Sequence, residues 1–110
     1  MVNHFSRIFY GVVLENKDAY RISQIIKKEE ESYDNVQFGI KVDMCYDFTE
    51  STVYFLYIYS TMQKVDTNGI HKIDDIQFSI LWDTIFENFC NINDATYNIP
   101  GWYLTNEIWL

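Results

Sequence analysis

Proline is almost missing from this 110-residue chain: Pro100 stands alone, and the four glycines, at 11, 39, 69 and 101, are each isolated. So few chain breakers leave no room for a long flexible linker and predict one domain over residues 1–110. They also remove the phosphate-cradling loop, which needs glycines clustered ahead of a helix. Cysteine is scarce as well. Cys45 and Cys90 have no His or cation beside them in sequence to lower a thiol pKa, and they read as reduced thiols. With only His4 and His71 to join them, no zinc-ligand spacing arises, so neither metal nor cofactor is expected. No window approaches the roughly 20 apolar residues of a membrane span. Met1-Val2-Asn3-His4-Phe5-Ser6-Arg7 lacks the charged start and apolar block of a secretory leader, so a cytoplasmic location is expected.

Positive charge is the other shortage. Eight Lys and Arg face sixteen Asp and Glu, a net charge of −8. Residues 1–28 hold five cations against two carboxylates, whereas residues 29–110 hold three lysines against fourteen carboxylates. An acidic body repels nucleic-acid phosphates and anionic headgroups. Direct binding to nucleic acid or membrane is therefore not expected, and a protein with a basic surface is the favoured partner.

Apolar residues make up 48% of the chain and aromatics 18%, which excludes a disordered polymer. Ile, Asn, Lys, Tyr and Phe are abundant while Ala, Arg and Pro are rare, the bias of an A/T-rich genome such as a phage's. The richest stretch runs Thr52-Val53-Tyr54-Phe55-Leu56-Tyr57-Ile58-Tyr59-Ser60-Thr61-Met62. From Val53 to Tyr59 it is aromatic, β-branched or leucine, which predicts a strand covered on both faces in the middle of a sheet.

Around that strand the remaining elements fall in order. Phe5–Leu14 reads as the first strand, with Gly11 marking a bulge or a closely packed helix. Asn16 or Asp18 caps a helix that places Ile22, Ile25, Ile26 and Tyr33 on one stripe and ends at Glu29-Glu30-Glu31. In Val36–Cys45, Val36, Phe38, Ile40, Val42 and Met44 alternate with Gln37, Gly39, Lys41, Asp43 and Cys45, a half-buried strand. Tyr46–Ser51 connects it to the central strand as an antiparallel neighbour. Gln63–Asp75 is polar and holds the turn pair Asn68-Gly69. Asp74 or Asp75 caps a second helix reaching Cys90 or Asn91, with Phe78, Leu81, Trp82, Ile85, Phe86 and Phe89 on its apolar stripe. Asn91–Asn98 is a loop, and Trp102–Leu110 is the last strand. The order βαββαβ predicts an α+β two-layer sandwich: a four-stranded antiparallel sheet with both helices on one face, of ferredoxin-like type.

Chemistry-bearing patterns are weak. Asp66-Thr67-Asn68-Gly69 lacks the alternate ligands and final Glu of a calcium loop, and the acidic pairs read as caps or solvated ends, so no catalytic residue is singled out. What remains is surface. Glu29, Glu30, Glu31, Asp34, Asp43, Asp47 and Glu50 form an acidic rim suited to a basic partner, as in a phage-type inhibitor that mimics nucleic-acid charge. Tyr54, Tyr57, Tyr103 and Trp109 are candidates for an exposed aromatic sheet face, which implies self-association through that face or the C-terminal strand. A pocket between sheet and helices for a small molecule is the third expectation.

Overall fold

The computed structural model describes residues 3–31, 39–46, 52–66, 70–73 and 77–109. Its elements run β1 (Asn3–Val13), α1 (Asn16–Glu31), β2 (Ile40–Tyr46), β3 (Thr52–Ile58), β4 (Gln63–Asp66), α2 (Leu81–Ile92) and β5 (Gly101–Trp109). Every pairing among these strands is antiparallel. β3 lies between β2 and β1, as its apolar residues on both alternations predict. One edge of β1 pairs β5 throughout, and the other edge pairs β4 and then β3. The α+β class with an antiparallel sheet and two helices therefore holds, but the sheet has five strands rather than four.

The additional strand comes from a break. Tyr59–Thr61 forms a 3₁₀ turn between β3 and β4. Gly11 pairs Tyr57 and Ile8 pairs Gln63, so β1 advances three residues while the opposing chain advances six. Thr61 closes the gap this leaves in the ladder. Its hydroxyl accepts the Tyr10 N–H at 2.9 Å and donates to the Ile58 carbonyl at 2.7 Å. A buried backbone donor at a strand break is thereby satisfied, as burial demands. Gly11 sits at the same place. A Cβ there would lie 2.0 Å from the Leu56 carbonyl oxygen, so glycine admits neighbouring β3 rather than the bulge or helix expected.

Register divides the side chains into two faces. Tyr10, Val12 and Leu14 share one face with Ile40, Tyr54, Leu56 and Ile58. Onto it pack Ile22 and Ile26 of α1 and Phe86, Phe89 and Cys90 of α2, so both helices cover the same face. On the opposite face, Phe9 stacks on Phe55 at 4.3 Å between ring centroids, and Tyr57 and Tyr103 flank them. Phe9, Phe55 and Tyr57 are buried although no described helix covers that side. The sheet curls: the outer strands β2 and β5 approach each other across this face. The break after β3 and the bare Gly11 give the sheet the local freedom that strong curvature needs.

Several expected boundaries shift. Gly39, expected inside a strand, has φ +64° and turns the chain into β2, so that strand begins at Ile40. Residues 36–38 of the expected strand, Tyr33 of the first stripe and the Asn68-Gly69 turn lie outside the described residues. α2 begins at Leu81 rather than near Asp75. Ile80 takes the N-cap place without a side-chain cap, and just before it the Ser79 hydroxyl accepts the Leu81 N–H at 3.3 Å and the Ser79 carbonyl the Trp82 N–H at 3.1 Å. The apolar stripe rotates with it: Cys90 joins the core and Leu81 faces solvent. β4 went unexpected because Gln-Lys-Val-Asp carries little strand signal of its own. Its pairing is supplied by β1. No helix among the described residues is long and apolar enough to cross a membrane.

Candidate functional site

Two polar clusters and one apolar corner stand out from the packing. The first cluster lies on the curled face. Arg7, in the middle of β1, donates from Nε and Nη2 to the two carboxylate oxygens of Glu107 at 2.6 and 2.7 Å. Its Nη1 donates to Asp43 of β2 at 2.7 Å and its Nη2 to the Met44 carbonyl at 2.9 Å. The guanidinium also rests 5.2 Å from the centroid of Phe55. Thr105 donates its hydroxyl to Glu107 at 2.6 Å. Burial opposes the Arg7 charge, yet Glu107 and Asp43 outweigh it and hold the guanidinium pKa above its usual value. This network joins β1 to both outer strands and fastens the curl. Its donors are engaged inside the protein, so it reads as a tie rather than a ligand site.

The second cluster binds α1 to the loop after α2. The Asp18 carboxylate accepts the Thr96 N–H at 2.9 Å and pairs with Arg21 at 3.2 Å. Arg21 also donates to the carbonyls of Asn93 and Asp94, which end α2. The Thr96 hydrogen bond, against burial and with help from Arg21, holds the Asp18 carboxyl below the usual range. Asp94 adopts φ 51°, the left-handed turn that brings the chain back toward β5.

The corner lies where α2 begins. Tyr10 meets Phe78, Trp82 and Trp102 at 5.2–5.3 Å between centroids, and Trp82 in turn meets Phe78 edge-on. Such spacings mean rings packed on one another. The Tyr10 hydroxyl donates to Asp83. Burial, then Asp83, raises the Tyr10 pKa, so its proton is retained. Phe78 is 55% exposed and Leu81 66%, and the charged residues of α2 are two carboxylates, Asp83 and Glu87. α2 carries no cation.

Of the residues expected to form an acidic rim, only Asp43 has a described side chain. Asp43 is committed to Arg7. Glu29, Glu30 and Glu31 lie in the last turn of α1, where the backbone alone is described. Asp34, Asp47 and Glu50 fall outside the described residues. The tyrosines do not share a face. Register places Tyr54 on the helix side, packed against the core, and Tyr57 and Tyr103 on the curled side. Tyr57 is buried there, and the Tyr103 hydroxyl donates to the Ile99 carbonyl at 3.0 Å. For Trp109 only the strand backbone is described. Arg7, Glu107 and Asp83 were missed from sequence. A signal existed: Arg7 is the only Lys, Arg, Asp or Glu of β1 and Glu107 the only one of β5, a pattern that buried pairs produce.

No protein-family model matches the chain, and neither the curated proteins nor the solved structures compared with it give a match.

Proposed function

We propose that this protein is a small non-catalytic interaction module that docks on a basic surface of another protein. The observation that carries the reading is the distribution of charge around the α2 corner. α2 bears two carboxylates, Asp83 and Glu87, and no cation, and exposed Phe78 and Leu81 lie at its start. Exposed rings, and a helix whose only charges are carboxylates, suit arginine and lysine, which stack on rings and pair with acid. Charge elsewhere points the same way. Arg7 is engaged internally with carboxylates and Arg21 with a helix end, while Asp66 and Glu87 stand exposed. Glu29, Glu30, Glu31, Asp34, Asp47 and Glu50 extend the acidic surplus in sequence.

The partner class that best fits is a nucleic-acid-handling protein, whose phosphate-binding groove an acidic body of phage or viral type would occupy by charge mimicry. If β3 and β4 count as one broken strand, the sheet order becomes β2-β3-β1-β5, which supports a ferredoxin-like reading of the fold. Affinity capture from cell lysate at low and high salt tests the function. Glu87→Lys, and a triple reversal of Glu29, Glu30 and Glu31 to Lys, are expected to weaken capture and flatten its salt dependence. Capture indifferent to salt and to these reversals overturns the proposal.

A further inference from the structure

We infer that the outer edge of β5 pairs with the same edge of a second copy of this chain, antiparallel about a two-fold axis at Leu104. Among the described residues, β5 forms a ladder with β1 alone and β2 only approaches it, so the strand presents one edge without ladder hydrogen bonds. The direction of its free groups follows from β1. Val13 exchanges hydrogen bonds with Asn98, just ahead of β5, and the Arg7 N–H meets the Thr105 hydroxyl at 3.1 Å. The N–H groups of Tyr10 and Leu14 turn the other way, to Thr61 and Tyr54. Peptide groups alternate along a strand. Odd residues of β1 therefore face β5, and by register so do Tyr103 and Thr105 face β1. The N–H and C=O groups of Trp102, Leu104 and Asn106 are left pointing outward.

Natural edges are protected by lysine, proline, a bulge or an inward charge. Here the β1–β5 register is unbroken from Asn3 to Gly11, which rules out a bulge there, and the strand holds neither lysine nor proline. It does hold one inward charge, Glu107, but Arg7 neutralises it. On a protein of net charge −8, this edge is thus a place where two copies meet without like-charge repulsion. The other outer strand, β2, is less suited, since it carries Lys41 and a partly exposed Asp43.

Side chains select the register. With the axis at Leu104, that leucine faces its own counterpart, Trp102 faces Asn106, and Tyr103 faces Thr105. Glu107 then lies opposite Gly101 and away from its own copy. Leu104 is 63% exposed on the side that Trp102 and Ile8 also occupy, so pairing would bury a leucine that β1 and α2 leave open. Tyr57 is buried under the curl and Tyr54 packs on the helix side, so the C-terminal strand, the other expected route to self-association, is the one argued for. This contact is independent of the acidic surface proposed above.

Sedimentation equilibrium of the full chain, from micromolar to near-millimolar concentration, tests it. The wild type is expected to dimerise, and Leu104→Lys, which sets two cations face to face at the axis, to weaken the dimer by about tenfold or more. Its circular dichroism should stay that of the wild type, because Leu104 is exposed. Leu104→Cys is expected to cross-link under mild oxidation, with the bond mapped to that position by mass spectrometry, since paired Cα atoms lie about 5.5 Å apart. A wild type that stays monomeric overturns the inference, as does a dimer that Leu104→Lys leaves intact. Capture by a basic partner should be unaffected by Leu104→Lys, and dimerisation by Glu87→Lys, so failure of one proposal is separable from failure of the other.

Discussion

Arg7 interrupts an apolar strand, and its surroundings show what a buried charge requires. Desolvation of a guanidinium is offset only when carboxylates and carbonyls take up its donors, and Glu107, Asp43 and Met44 do so. Removing one partner strands the other. Arg7→Met is expected to cost about 3–5 kcal/mol in urea unfolding, because Glu107 is then left buried and unpaired. Adding Glu107→Leu should recover most of that loss; a double variant no more stable than Arg7→Met would show that the pair is not coupled. Cys90 illustrates the converse, a group kept neutral. Burial, then the charge of Asp18, pushes its thiol up to about 11 from an ordinary value of 9.0. The unfolded chain loses this proton first, so the associated stability is complete below pH 9 and disappears as pH rises through about 11. Unfolding free energy should therefore decline across that window, and Cys90→Ala should reduce the slope. An alkaline limb identical in the two proteins would place Cys90 outside the core.

At the scale of elements, the decisive feature is the interrupted strand β3–β4. One run of β-prone residues serves two registers on β1 because Tyr59–Thr61 takes up three residues and Thr61 completes the ladder. Gly11 makes the approach possible. Gly11→Ala would drive a methyl group into the Leu56 carbonyl, and a loss on the order of 3 kcal/mol in chemical unfolding is expected, since the clash is with backbone rather than a yielding side chain. A variant as stable as the wild type would mean that β3 does not close on β1 there. The late start of α2 has a related consequence: residues ahead of Leu81 are freed from the helix, and Phe78 becomes an exposed edge of the aromatic corner instead of a core residue.

For the whole molecule, charge and curvature act together. Curling buries Phe9, Phe55 and Tyr57 without a second helical layer, and Arg7 fastens the curl through both outer strands. The remaining acidic surplus repels itself. Screening falls off over about 10 Å at 0.1 M salt, so modest salt is expected to raise the melting temperature by a few degrees. The Arg7 network, being buried, is screened far less, and a fall in melting temperature with salt would mean that exposed ion pairs dominate instead.

Local residue chemistry alone determined a good deal. The run Val53–Tyr59 declared an interior strand, the isoleucine spacing of α1 and the bulky stripe of α2 declared helices packed on one side, and the rarity of Gly and Pro declared few breaks. These features are legible because each depends on neighbours in sequence, through pleat, helical period or turn chemistry. Strand β4, the pairing of Arg7 with Glu107, the face on which Tyr54 lies and the open edge of β5 were decided by tertiary structure. Each depends on register between segments as much as 100 residues apart, and a shift of one residue exchanges the two faces of a strand. No local pattern carries that information, because it resides in which strands meet and where the sheet bends.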